Sequence, residues 1–188
     1  MIEKEAAIYG DLEKILVTKE EIAARIREVG QKITRDYAGK EPVLVCILKG
    51  AVIFFSDLAR EIDLPLTMEF MAISSYGSAT KSTGVVRVLK DLDNDILNRD
   101  VIIVEDIVDS GVTLNYIRSM LMHRGAASLK IVSLLDKPER RRVPDLKVDY
   151  TCFDIPDEFV VGYGLDFDQR YRNLPDIGVL KPSVYGNA

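Results

Sequence analysis

Apolar residues recur along this chain with two distinct periods. Ile22, Ile26, Val29 and Ile33 share one face of a 3.6-residue repeat, just behind Thr18-Lys19-Glu20-Glu21, which has the spacing of a capping box. The pattern predicts an amphipathic helix there, ended by Gly39 and Pro42. Residues 43–48 are then an unbroken apolar run, closed by Lys49-Gly50, which reads as a strand buried on both faces. Residues 51–62 have helical spacing, and 66–73 and 85–89 read as strands. Between those strands, 74–84 is polar and rich in Ser, Thr and Gly, which predicts a long mobile loop. Residues 101–104 form a short apolar strand that stops at Glu105-Asp106, followed by a helical pattern through Ile117, Leu121 and Arg124 to a stop at Gly125. Further strands are predicted over 129–135, 150–153, 159–163 and 177–180. Residues 137–145, with three arginines at 140–142, read as a solvated connecting loop. Strands alternating with helices predict an α/β fold whose mostly parallel sheet is covered on both faces.

Composition narrows the class. A chain of 188 residues, 47% hydrophobic and 29% charged, is expected to fold as one globular domain over 1–188. The net charge of −5 argues against a broad nucleic-acid or anionic-membrane surface. Two cysteines, Cys46 and Cys152, lie in apolar runs, which fits buried reduced thiols better than a disulfide. No N-terminal signal core and no apolar stretch of bilayer length is present, so a cytoplasmic protein is expected.

The chemistry concentrates in Glu105-Asp106-Ile107-Val108-Asp109-Ser110-Gly111-Val112-Thr113. Acids at the carboxyl end of a buried strand lie where open α/β sheets hold their ligands. Ser-Gly-Val-Thr opening a helix leaves backbone N–H groups for an anion. Carboxylates beside an anion cradle suit a phosphorylated sugar. A dinucleotide fingerprint and a Walker A loop are both missing. The single histidine, His123, sits at a helix end, where it favours the dipole.

This run resembles, nearly residue for residue, the phosphoribosyl-pyrophosphate motif of the type I phosphoribosyltransferases. The likeness extends in order through Leu48-Lys49-Gly50, Ser74-Ser75-Tyr76-Gly77, Leu134-Leu135-Asp136-Lys137-Pro138, residues 159–166 and Arg172, spanning about Ile15 to Tyr185. It is similar to the branch that acts on hypoxanthine and guanine.

The resemblance implies a twisted sheet flanked by helices, a small hood of N- and C-terminal segments, and a mobile loop. It implies phosphoribosyl transfer from phosphoribosyl pyrophosphate to purine N9, giving IMP or GMP, with Mg²⁺ as cofactor and a homodimer or homotetramer. Nucleic acid and membrane are not expected partners. By the same likeness Lys49, Gly50, Ser75, Tyr76, Glu105, Asp106, Ser110, Gly111, Val112, Thr113 and Arg172 bind the sugar pyrophosphate, with a cis peptide joining Leu48 and Lys49. Lys137, Phe159, Val160 and Asp166 serve the purine, and Glu105, Asp106 and Asp166 the metal. Asp109 is the implied catalytic residue, beside purine N7. Some relatives carry Lys at position 112, so Val112 leaves more of the phosphate binding to backbone N–H groups. Two other classes share the signature. An RNA-binding regulator on this fold would need a basic face, and a phosphoribosyl-pyrophosphate synthetase a longer chain.

Overall fold

The computed structural model describes residues 8–75 and 86–186. Its first strand, β1 (Leu12–Val17), has no counterpart among the predicted elements, because only Leu12 and Val17 are buried and the residues between them mask any alternation. Helix α1 (Lys19–Asp36) starts at the predicted capping box. Glu21 N donates to Thr18 Oγ1 at 3.3 Å, and Thr18 N donates to Glu21 Oε2 at 2.8 Å. Its buried face is Ile22, Ile26, Val29 and Ile33, as the periodicity requires.

After α1 come β2 (Val43–Leu48), α2 (Val52–Glu61), β3 (Thr67–Ser75), β4 (Val86–Lys90), β5 (Asp100–Val108), α3 (Val112–His123), β6 (Ser128–Asp136) and β7 (Tyr150–Asp154). The six strands β2 to β7 form one sheet in the order β4-β3-β2-β5-β6-β7. All neighbours run parallel except β3 and β4. Alternate residues of the apolar strands bury on opposite faces. Leu44, Cys46, Ile102 and Val104 pack beneath α1 and α2. Val43, Val45, Val101 and Ile103 pack beneath Leu114, Ile117 and Leu121 of α3. Each such Ile or Leu contributes about 1.5–3 kcal/mol on burial, which is why the apolar runs tolerate no polar interruption.

The remaining strands, β8 (Val160–Val161) and β9 (Ile177–Leu180), join β1 in an antiparallel sheet of order β1-β9-β8, followed by one turn of helix, α4 (Pro182–Tyr185). This is the hood of N- and C-terminal segments that the resemblance implies, with Leu12, Val161, Tyr171, Leu174 and Leu180 as its own small core. Buried Asp176 fastens it. Asp176 accepts from Tyr9 Oη at 2.7 Å and from Lys19 N, the first residue of α1, at 2.8 Å.

Three expectations change. β5 does not stop at its acids but runs on to Val108, because its pairing with β6 continues from Glu105 opposite Ser133 to Val108 opposite Asp136. The predicted loop loses its first two residues to β3, whose Ser74 and Ser75 pair with β4; Tyr76 and the rest of that loop lie outside the described residues. The strand expected over 159–163 shrinks to Val160–Val161, because Gly162 (φ 101°) and Tyr163 (φ 49°) turn the backbone.

Candidate active site

Register places the site. β2 pairs with β5 only as far as Cys46 opposite Val104, while β2 continues beside β3 to Leu48 opposite Ala72. From its end β2 crosses over to β3, and β5 crosses the other way to β6. The two central strands therefore part at Glu105, and the opening is the topological switch point where sheets of this kind take ligands.

Three segments distant in sequence meet at that opening. A Cβ on Gly50 would collide with the Asp106 carboxylate, and one on Gly164 with the Gly50 carbonyl. Glycine is thus required where the loop after β2, the acids of β5 and the 162–165 turn touch. The Leu48–Lys49 peptide beside them is cis. Arg172 closes the group: its Nη1 donates to Gly164 O at 2.7 Å and its Nη2 lies 2.7 Å from Asp166 Oδ1. Asp166 Oδ2 accepts from Gln169 N at 2.8 Å, and Lys49 Nζ reaches Gln169 Oε1 at 3.4 Å. Both oxygens of Asp166 are therefore engaged within the protein.

Glu105 and Asp106 are placed where charge is costly. Burial raises the Glu105 carboxyl well above its ordinary value, and the neighbouring Asp106 charge adds to this. Burial also pushes Asp106 up to about 6; its hydrogen bonds to backbone N–H groups and the charge of Arg172 pull it partly back. Because the folded value of Asp106 exceeds its ordinary 3.8, stability associated with this group is complete below about pH 4 and is lost as pH rises through about 6. Metal-free Asp106→Asn protein is therefore expected to melt above the parent near neutral pH, with the gap closing toward about pH 4. The gain is bounded at about 3 kcal/mol and reduced by the solvent contact that Asp106 retains. A gap independent of pH, read by thermal melts with chelator, would refute the assignment.

Beyond Val108 the chain turns into α3 through Gly111, whose φ of 77° and close neighbour Leu146 Cδ2, 2.6 Å from any added Cβ, exclude other residues. Asn115 N donates to Gly111 O at 2.9 Å, so the N–H groups of Thr113 and Leu114 have no helical partner. A cavity of about 160 Å³ opens here, lined by Glu105, Ile107, Asp109, Ser110, Gly111 and Thr113. The larger cavity of about 710 Å³ between α1 and α2 contains none of these residues, and its Arg60 is already paired with Asp57. Chemistry, not volume, selects the smaller one.

The loop after β6 leans onto this turn. Lys137 N donates to Val108 O at 2.9 Å, and its side chain, 8% exposed, sends Nζ to Glu158 O at 2.7 Å and to Asp157 Oδ1 at 3.4 Å. Phe159 and buried Val160 follow directly. Of the three arginines expected to be solvated, Arg140 and Arg142 stay exposed while Arg141 does not, and all three are engaged with this turn. Arg141 pairs with Asp136 and reaches Asp109 O at 3.4 Å, and Arg142 N donates to Ser110 O at 2.9 Å. Arg140 Nη1 reaches Asp157 Oδ1 at 3.1 Å, and its Nε forms an ion pair with Asp109 Oδ1 at 2.9 Å, one without a hydrogen bond. Arg140 thus links Asp109 to Lys137 by way of Asp157. Sequence reasoning missed Arg140 and Arg141, and only the excess of acids at 105, 106, 109, 136 and 157 could have signalled them.

Among the described residues no three carboxylate, imidazole or thiol groups gather around one point, so Glu105, Asp106 and Asp166 do not form a ready three-ligand cluster. No described helix is long and apolar enough to cross a membrane.

A sheet that opens at a switch point onto paired acids and an anion-binding turn is what the phosphoribosyl transferase domain requires, and the model of that domain matches residues 14–168. The chain belongs to this family. It is 54% identical to the hypoxanthine-guanine phosphoribosyltransferase of Streptococcus thermophilus (strain CNRZ 1066), over 93% of this chain and 97% of that protein. It is 51% identical to the enzyme of the same name from Bacillus subtilis (strain 168), over 93% of this chain and 97% of that protein. The crystal structure of a hypoxanthine phosphoribosyltransferase from Staphylococcus aureus superposes with a TM-score of 0.94 at 50% identity, covering 97% of this chain and 99% of that one.

Proposed function

We propose that this chain is a purine salvage enzyme that transfers the 5-phosphoribosyl group of phosphoribosyl pyrophosphate to N9 of hypoxanthine or guanine, giving IMP or GMP and pyrophosphate. The observation that supports this reading is the hydrogen bond of Lys137 N to Val108 O, which sets the Lys137 donor, and with it the Glu158-Phe159 segment that its Nζ reaches, beside the turn into α3. In this reading Ser110, Gly111, Val112 and Thr113 hold the 5′-phosphate, largely through backbone N–H groups. Glu105 and Asp106 accept from the ribose hydroxyls. Lys49, Gly50 and Arg172, with Ser75 and Tyr76, receive the pyrophosphate, and the guanidinium fork suits that task. Lys137 donates to O6, Phe159 stacks on the base, Val160 offers its backbone to the purine edge, and Asp109 holds or moves the proton at N7.

The donor set fits Mg²⁺. Two desolvated carboxylates without a protein cage would suit a hard divalent ion that retains several of its waters. Glu105 and Asp106 would hold it, with Asp166 acting through its tie to Arg172. When bound, Mg²⁺ neutralises charge building on the departing pyrophosphate. The leaving group is already activated, so no protein nucleophile is required; the residues position both substrates and exclude water.

Residues 1–188 acting as one domain, a homodimer or homotetramer, and a cytoplasmic address complete the reading, the last supported by the free, buried Cys46 and Cys152. Sedimentation would test the assembly. The purified chain with Mg²⁺, phosphoribosyl pyrophosphate and each base in turn, followed by ultraviolet absorbance, tests the activity. No nucleotide from either hypoxanthine or guanine would overturn it.

A further inference from the structure

Phe159 needs a fixed plane if it is to stack on a flat base, and the hood supplies one. Leu180 N, at the end of β9, donates to Phe159 O at 2.9 Å and pins the backbone. The next residue, Lys181, is anchored twice: its N donates to Asp11 O at 3.0 Å and its Nζ to Gly10 O at 2.6 Å. Helix α4 starts from this anchor with Pro182 in its first turn. It delivers the Tyr185 ring onto Phe159, with centroids 4.9 Å apart and planes 22° from parallel. Phe167 meets the same ring edge-on at 5.7 Å and 86°. With two aromatic neighbours Phe159 still remains 41% exposed, so its ring keeps an open side, next to the carbonyl of Glu158 that receives Lys137 Nζ.

We propose that Tyr185 is a positioning residue for the purine: it backs the Phe159 ring and presets the plane on which the base stacks. The inference rests on the reading of Phe159 as the purine-stacking ring. A side chain already held in its binding orientation loses little freedom when ligand arrives, so the benefit falls on base affinity alone. The phosphate cradle draws on residues 105–113 of β5 and the start of α3 rather than on the residues of this stack, and gains nothing from it.

Steady-state kinetics of Tyr185→Ala, Tyr185→Leu and Tyr185→Phe, with melting temperatures, test the proposal. Losing one aromatic pair is expected to raise KM for hypoxanthine and guanine by about three- to tenfold in the Ala and Leu variants. KM for phosphoribosyl pyrophosphate should stay at the parent's value while the melting temperature falls modestly, because Tyr185 also packs against the hood core, and Tyr185→Phe should restore base KM. A parallel rise in both KM values would mark Tyr185 as merely structural and overturn the proposal. A lowered base KM would also overturn it, by showing that the ring obstructs the base. Phe159→Ala separates the premise from the inference. An unchanged base KM in that variant overturns the premise, whereas a raised one beside an unchanged Tyr185→Ala overturns the inference itself.

Discussion

Turnover of the Asp109→Asn variant is expected to fall by about 10²–10⁴, the range for losing a general acid or base. The substitution keeps size and removes the capacity to take a proton. Asp109 stands where the last residue of β5 gives way to the turn into α3, and its carboxylate forms an ion pair with Arg140 at 2.9 Å. Its side chain is partly exposed toward the cavity it lines, so a base at that place can meet it without rearrangement of the core. Binding of phosphoribosyl pyrophosphate should change little, because on the proposed reading the 5′-phosphate contacts come from Ser110 to Thr113. Single-turnover and saturation kinetics would decide the matter. Near-parent turnover at saturating substrates would leave Asp109 as a helix-start acid favoured by the dipole.

Adenine is expected to be rejected by about 10⁴ relative to hypoxanthine, with Lys137 as the cause. The Lys137 ammonium is a donor only. Two of its directions are taken by Glu158 O and Asp157 Oδ1, which aims the remainder at one acceptor. A 6-oxo group accepts that bond; a 6-amino group cannot, and leaves a buried donor unsatisfied at a cost of about 1–3 kcal/mol or more. Lys137→Ala should therefore depress hypoxanthine and guanine use sharply and narrow the gap to adenine. Comparison of kcat/KM for the three bases in parent and variant measures this. Efficient adenine turnover by the parent would defeat both the role of Lys137 and the 6-oxopurine reading.

What the sequence made legible was local. The 105–113 run is contiguous, so its acids, its glycine turn and its helix start could be read together, and the apolar runs of β2 and β5 carry their burial on their face. The end of β5 was not legible, because Glu105 and Asp106 look like a strand stop unless the continuing pairing with β6 is known. Arg140 and Arg141 looked like a solvated run for a related reason. Their partners, Asp109, Asp136 and Asp157, come from three different segments, and no spacing rule connects them. Tyr185 is more remote still. Its stacking on Phe159 depends on the pairing of β1 with β9, which a weakly patterned first strand does not announce.

The closing of the hood has a consequence for the order in which the molecule assembles. Leu12 pairs with Leu180, residues near opposite ends of the chain, whereas the turn from Glu105 to Thr113 is nearly complete in nine neighbouring residues. Joining distant ends costs loop-closure entropy that a local turn does not incur. Amides of β8 and β9 should accordingly exchange with solvent faster than those of β5, and equal protection in a native-state hydrogen-exchange experiment would contradict this. During synthesis the sugar-phosphate half of the site can take shape while the last strand is still being made. On the proposed reading, the hood that backs Phe159 and carries Arg172 closes later, so a nascent or nicked molecule would form the 5′-phosphate cradle before it can fix the purine-stacking ring or the Arg172 contact.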